Sequence, residues 1–449
     1  MQDPYTRSEK FMKEPPATFS QRLKHLGPGF ILSASIVGSG ELIATTTLGA
    51  RAGFIAFWVI IVSCLVKVAV QLEVGRYTII TGKTIMSVFN NVRGPRVGRG
   101  GWLLWLIFGI FLLKFVQLGG MVGSTAIVLH MLMPAVGVAA WVVAVAAVAA
   151  LLIFRGVYTP IEKASLFMTV SFTALTLASV AALAFTPYAL SWEQIGSGLT
   201  FAFPPEIIPV AVGAFGITGV ASDEIIAYNY WCIEKGYAAN TGPQSADPLW
   251  ERRARGWVEV MYLDAIVAMV VYTMVTAAFY LLGAAILNNR AAVPGGNELI
   301  ETIALIYTES LGPGVRMVYL VGAFFVLFSS IFATLAVWTR IYPDIFGHLD
   351  WIQFSNPVAR RKTIGWLAFL FPACWALVYL FVELPVTMIL FGGLVSSALL
   401  VIMVAIVIPM NTKTRAVVST GPFYQLAFYV SVVSIFAIGL YGVVSVISR

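Results

Sequence analysis

Apolar stretches of about 20 residues, the length of helix that spans a bilayer core, recur along this chain and constrain its fold more than any other feature. They lie near 29–50, 54–80, 102–132, 138–154, 164–186, 207–232, 257–287, 313–340, 364–382, 386–409 and 423–447. Eleven transmembrane helices are therefore predicted, an all-α integral membrane protein. Composition agrees: 11% of residues are charged, against roughly 25% in soluble domains. The first 25 residues are polar and basic, without the apolar core of a signal peptide. Cys64, Cys232 and Cys374 sit in or beside apolar segments with no metal-ligand spacing and read as packing residues.

Placing the N-terminus in the cytoplasm sorts the basic residues. Of 28 lysines and arginines, 22 fall in segments assigned inside and four outside (Arg51, Arg290, Arg316 and Arg449). Lys67 and Lys114 lie within spans. That asymmetry follows the positive-inside rule and puts the C-terminus outside, in a multi-pass protein of the plasma or inner membrane. The net charge of +7 is thus a topology signal and not a nucleic-acid surface. The expected partners are the lipid bilayer and a small transported solute.

Two spans carry an unusual interruption. The first reads Gly38-Ser39-Gly40-Glu41 and the sixth reads Gly216 to Gly219 followed by Ser222-Asp223-Glu224. Ser39-Gly40-Glu41-Leu42-Ile43-Ala44 is echoed 183 residues later by Ser222-Asp223-Glu224-Ile225-Ile226-Ala227. Irregular backbone survives in lipid only where it lines a protein-buried or watery cavity. Interrupted helices at matching positions of two halves mark an inverted-repeat transporter with a midplane site. The expected organisation is a cytoplasmic segment 1–25, a first repeat 26–190, a second repeat 191–410 containing the loop 234–256, and a last helix 411–449.

The motifs around these breaks resemble the Nramp family. GPGF (27–30) with GELIATTTLGARAGF (40–54) is similar to that family's first helix and its ending. VQLEVGRYTIITGK (70–83) resembles its second-helix end, Arg155-Gly156 with Glu162 the start of its fifth helix, and Ser329-Ser330 part of its eighth. The resemblance implies a LeuT-type fold, with a 5+5 inverted repeat and broken helices one and six, and solute transport by alternating access.

The chain departs from the family within the site. In the family's D-P-G-N motif the Asp becomes Gly38, the Pro becomes Ser39 and the Asn becomes Glu41; Val220, Ala221 and Ser222 replace its sixth-helix M-P-H. The family's proton-route acids become Gln117 and Gly120, its eighth-helix Gln becomes Phe328, and no ninth-helix arginine lies beyond Lys362. What replaces them is oxygen: Glu41, Asp223 and Glu224 are expected to cluster as metal-binding carboxylates, and magnesium prefers such donors while keeping part of its water. Gly38, Gly120 and the Gly392-Gly393 pair are expected to widen the cavity. Substrate contacts are assigned to Gly38, Ser39, Glu41, Gln117, Val220, Ser222, Asp223, Glu224 and Tyr228. The leading cargo is a divalent cation, magnesium before manganese, moved without the usual proton relay.

A small polar organic solute such as a sugar, with or without proton coupling, fits the same residues, with Tyr228, Asn229 and Trp231 as additional contacts. The intramembrane ammonium groups of Lys67 and Lys114 add weight to it, because they would repel a divalent cation or stand in for a coupling ion. With Asp264 they are the coupling or gating candidates, since a charge at bilayer mid-depth costs at least ~2.5–3.5 kcal/mol and is functional by default. Glu73 and Arg76 read as a structural pair. An enzyme is disfavoured: there is no H-E-x-x-H, and no base accompanies Ser39. No cofactor is expected.

Overall fold

The computed structural model describes residues 3–29, 36–156 and 158–447, without the side chains of 158–166, 168, 297, 443 and 445–447. Glu162 and Lys163 fall among those side chains, and Arg449 lies outside the described residues. Eight helical segments are long and apolar enough to cross a membrane: Phe57–Thr81, Trp102–Leu132, Pro205–Glu234, Pro248–Asn288, Pro313–His348, Pro357–Val382, Pro385–Arg415 and Pro422–Gly442. Val138–Phe154 and Thr169–Phe185 are shorter apolar helices. The first span continues through a π-helical turn at Gly40–Thr45 into the helix Thr46–Ala52. Helices alone fit here, because each satisfies its own backbone inside lipid.

Two connections are more structured than loops. The stretch 288–312 contains the helix Leu299–Leu311, which buries Leu299, Ile300, Ile303 and Tyr307 against the core at helical spacing. The segment 234–256 contains the short helix Tyr237–Thr241, and the seventh span begins within it, at Pro248. Between the second and third spans, Arg96–Val97 pairs antiparallel with Gly100–Gly101, the one departure from an all-α chain among the described residues.

Glycines set the closest helix approach. A Cβ on Gly216 would lie 1.9 Å from the Gly393 carbonyl oxygen, and one on Gly393 would lie 2.0 Å from the Gly213 oxygen. A Cβ on Gly392 would meet Gln117 at 2.3 Å, and one on Gly120 would meet Met388 and the Pro385 carbonyl at 2.9 Å. Gly120, Gly392 and Gly393 therefore do not widen a cavity as expected; their missing side chains are filled by neighbouring helices, the usual use of small residues in membranes. Gly216→Ala should lower the unfolding midpoint sharply, because overpacking against backbone costs ~1–3 kcal/mol or more. Gly109→Ala, inside the helix Trp102–Leu113 where a Cβ meets nothing within 4 Å, should not lower the midpoint, since alanine is the better helix former.

The N-terminal segment ties several helices together at one face. Arg7 donates to the carbonyls of Ile79, Ile80 and Ala238 at 3.1 Å, Asp3 pairs with Arg360 at 2.7 Å and Arg22 with Glu259 at 2.7 Å. Tyr5 donates to Glu234 at 3.3 Å. The N-terminus and the 234–256 segment thus share one face of the helix bundle.

Candidate functional site

The sixth span breaks at a defined point. Its first half, Ile208–Ile217, ends with Thr218 extended, Gly219 at φ +62°, and the second half begins at Ser222. Only glycine adopts that left-handed φ readily, and a Cβ there would also press within 3.1 Å of Cys64. Gly216, expected to weaken the helix, lies inside the first half, where it serves close packing.

The break leaves a donor and an acceptor without their helical partners, and two charged side chains take them. In an unbroken helix Gly219 N–H would bond the Phe215 carbonyl. Instead Gly219 N–H donates to Glu41 Oε1 at 3.0 Å, and the Phe215 carbonyl accepts from Lys67 Nζ at 2.7 Å. Thr276 Oγ1 also donates to Glu41 Oε1, at 3.2 Å. Glu41 Oε2 is buried with no hydrogen-bond partner. Glu41 stands on the π-helical turn of the first span, where the Thr45 and Thr46 hydroxyls bond the carbonyls of Gly40 and Glu41. Such turns recur at functional sites.

A second charged pair lies on the other side of the break. Lys114, at the junction between the helices Trp102–Leu113 and Phe115–Leu132, donates to Asp223 Oδ1 and, at 2.7 Å, to Ser396 Oγ. Glu224 Oε2 accepts the Ala221 N–H at 2.8 Å and caps the second half-helix, as an acidic residue in a first turn does. Glu224 lies within Coulombic reach of Glu41 and Lys67.

Between the breaks is a cavity of about 30 Å³, with Ser39, Gln117, Asp223 and Glu224 among its polar lining. Its walls also carry Met121 and Thr334. A buried water needs roughly 10–15 Å³, so the space is of the size of two or three waters or a small ion. It is far below the roughly 300 Å³ and upward of organic-ligand pockets, and the wide pocket expected from the sequence is not formed. Gln117 Oε1 and Ser222 Oγ, like Glu41 Oε2, are buried oxygens without a partner.

Other residues singled out from the sequence lie elsewhere. Asp264 accepts the N–H groups of Gly27 and Gly29 at 2.8 and 2.5 Å and the Tyr228 hydroxyl at 3.1 Å, anchoring the start of the first span. Asn229 spends its amide on Ile85 N–H, Thr78 Oγ1 and the Lys83 carbonyl, and Trp231 lies beneath the Arg340 guanidinium. Tyr228, Asn229 and Trp231 do not line the cavity. Val220 is buried in the break, and Gly38 forms a tight turn in which its N–H meets the Ile36 carbonyl. Glu73 and Arg76 pair at 3.2 Å, with Thr414 and Tyr424 donating to the carboxylate.

The carboxylates Glu41, Asp223 and Glu224 do not assemble into one metal cage. No group of three His, Cys, Asp or Glu able to hold a metal occurs among the described residues. The physical reason is that Asp223 is drawn to Lys114 and Glu224 to the helix cap. Sequence reasoning missed Met121, Ser63, Thr276 and Ser396. Met121 had a signal, since Lys114, Gln117 and Met121 follow the three- and four-residue spacing of one helix face.

The fold matches a manganese transporter of Eremococcus coleocola, solved in complex with an aromatic bis-isothiourea substituted compound, at TM-score 0.63 and 14% identity; the match covers 95% of this chain and 88% of that one. MhsT in complex with L-phenylalanine matches at TM-score 0.55 and 14% identity, over 96% of this chain and 99% of that one. Inward-facing Mhp1 matches at TM-score 0.52 and 14% identity, over 96% and 89%. These likenesses show the LeuT-type fold. No curated protein matches the sequence. A family model described as natural resistance-associated macrophage protein-like matches residues 29–446, and the chain therefore belongs to the Nramp family.

Proposed function

We propose that this protein is a secondary transporter that carries a partly hydrated divalent cation, magnesium before manganese, by alternating access at the paired breaks. The observation that carries the reading is the ion-sized cavity lined by Ser39, Asp223, Glu224 and Gln117, whose buried Oε1 has no partner. Magnesium is held by one or two carboxylates and retains its remaining waters, so Glu224 on the cavity wall, with Glu41 beside the lining residue Gly40, suffices and a three-carboxylate cage is not required. The manganese transporter of similar fold supports a cation cargo. Met121 on the cavity wall offers a soft thioether that favours manganese more than magnesium. Gln117 and Gly120 cannot relay protons as acids do, so the coupling differs from the family's usual route. The sorting of basic residues supports a cytoplasmic N-terminus and an outside C-terminus.

A second reading is a small polar organic solute, favoured by the Lys114–Asp223 pair, which cancels one of the three negative charges at the site. Titration calorimetry on the purified protein separates the two. Saturable heat with magnesium or manganese, and none with a neutral monosaccharide, is expected. Heat with the monosaccharide alone would replace the cation reading by the organic one.

A further inference from the structure

Lys67 is a lysine in the interior whose contacts are not carboxylates. It is completely buried, and among the described residues no carboxylate lies within 4.0 Å of its ammonium. It donates to the carbonyls of Phe215 and Thr218. Ser63 Oγ bonds the same two carbonyls at 3.0 and 3.1 Å and lies 3.0 Å from Thr218 Oγ1. Two carbonyl oxygens thus hold the ammonium directly, and the Ser63 and Thr218 hydroxyls cluster around the same carbonyls.

Carbonyl and hydroxyl oxygens are the donors that an alkali cation would use. Unwound carbonyls and half-helix C-terminal ends are the places where broken-helix transporters coordinate a free monovalent ion, and the negative end of the half-helix dipole favours positive charge there. Here Ile208–Ile217 ends at that spot. The charged neighbours of Lys67 are Glu41 and Glu224, which attract it, and Lys114, which repels it. Glu41 meanwhile holds the N–H on the opposite side of the same missing backbone bond. One carboxylate and one ammonium therefore keep the break open together, without a diffusible ion.

We propose that the Lys67 ammonium is a tethered substitute for a free coupling cation at the sixth-span break, so that this protein works independently of sodium. Removing the side chain would then create a sodium site from the Phe215 and Thr218 carbonyls and the Ser63 and Thr218 hydroxyls. The proposal rests on the transporter reading and not on the identity of the cargo.

The test is thermal unfolding of the purified full chain in sodium chloride against choline chloride, which needs no cargo and so can fail independently of the cation reading. The wild type should unfold at the same midpoint in both salts. Lys67→Ala should unfold earlier in choline and recover in sodium, its midpoint rising with the logarithm of sodium concentration as a specific ligand requires. Equal unfolding of Lys67→Ala in the two salts would overturn the proposal, as would sodium stabilisation of the wild type. If Lys67→Ala folds in neither salt, uptake by wild-type proteoliposomes decides. Equal uptake in sodium and choline supports the proposal, and sodium-stimulated uptake overturns it.

Discussion

Glu41→Gln should reduce uptake by at least about 100-fold, beyond the 10–100-fold typical of residues that only support a metal ligand, while leaving the protein folded. Glutamine keeps an Oε1 that can accept from Gly219 N–H and Thr276, the two partners of Glu41 in the structure. Its amide nitrogen would occupy the place of Oε2, the buried oxygen that has no hydrogen-bond partner. The sixth-span break is thereby held, and the buried negative charge is lost. Removing that charge relieves its desolvation cost and leaves Lys67 its two carbonyl partners, so the unfolding midpoint should not fall. Uptake into proteoliposomes and thermal unfolding, measured on the same preparation, separate the two effects. Wild-type uptake by the variant would remove Glu41 from the site; a lower midpoint would make its role structural.

Lys114→Met should destabilise the protein by about 3–5 kcal/mol, the cost of leaving one member of a buried pair without its partner. Asp223 is 8% exposed, too buried for water to replace the ammonium fully. Combining the change with Asp223→Asn should recover most of the loss, since replacing both partners of a buried pair by neutral groups is often neutral. A double-mutant cycle on unfolding midpoints checks this. Additive effects would mean that the pair does not couple the third span to the sixth.

The spans and their two interruptions were legible in the sequence because lipid leaves few options. An apolar run long enough to cross must be helical, and a Gly-Ser-Gly-Glu interruption inside one needs a polar destination. The carboxylate of Glu41 was legible for the same reason. What could not be read was each charged group's partner. Asp264 stood out only as a charge inside a span; that Gly27 and Gly29, some 235 residues away in the chain, donate their N–H groups to it could not be read. The glycines misled in a similar way. Gly216, Gly392 and Gly393 have the same composition whether they open a cavity or let two backbones touch, and only the helix pairing distinguishes the cases. Gly219 alone is demanded by backbone geometry, so the break lies there and not at Gly216. Lys67 was visible as an anomaly, but its carbonyl partners exist only because the sixth span is broken opposite it.

The measurement that bears most directly on the account is magnesium flux into sealed proteoliposomes of the purified wild-type protein, driven by a magnesium gradient with no sodium and no proton gradient. Saturable uptake, competed by manganese and lost in Glu41→Gln, is expected. No magnesium or manganese flux, together with uptake of a neutral monosaccharide by the same vesicles, would contradict it.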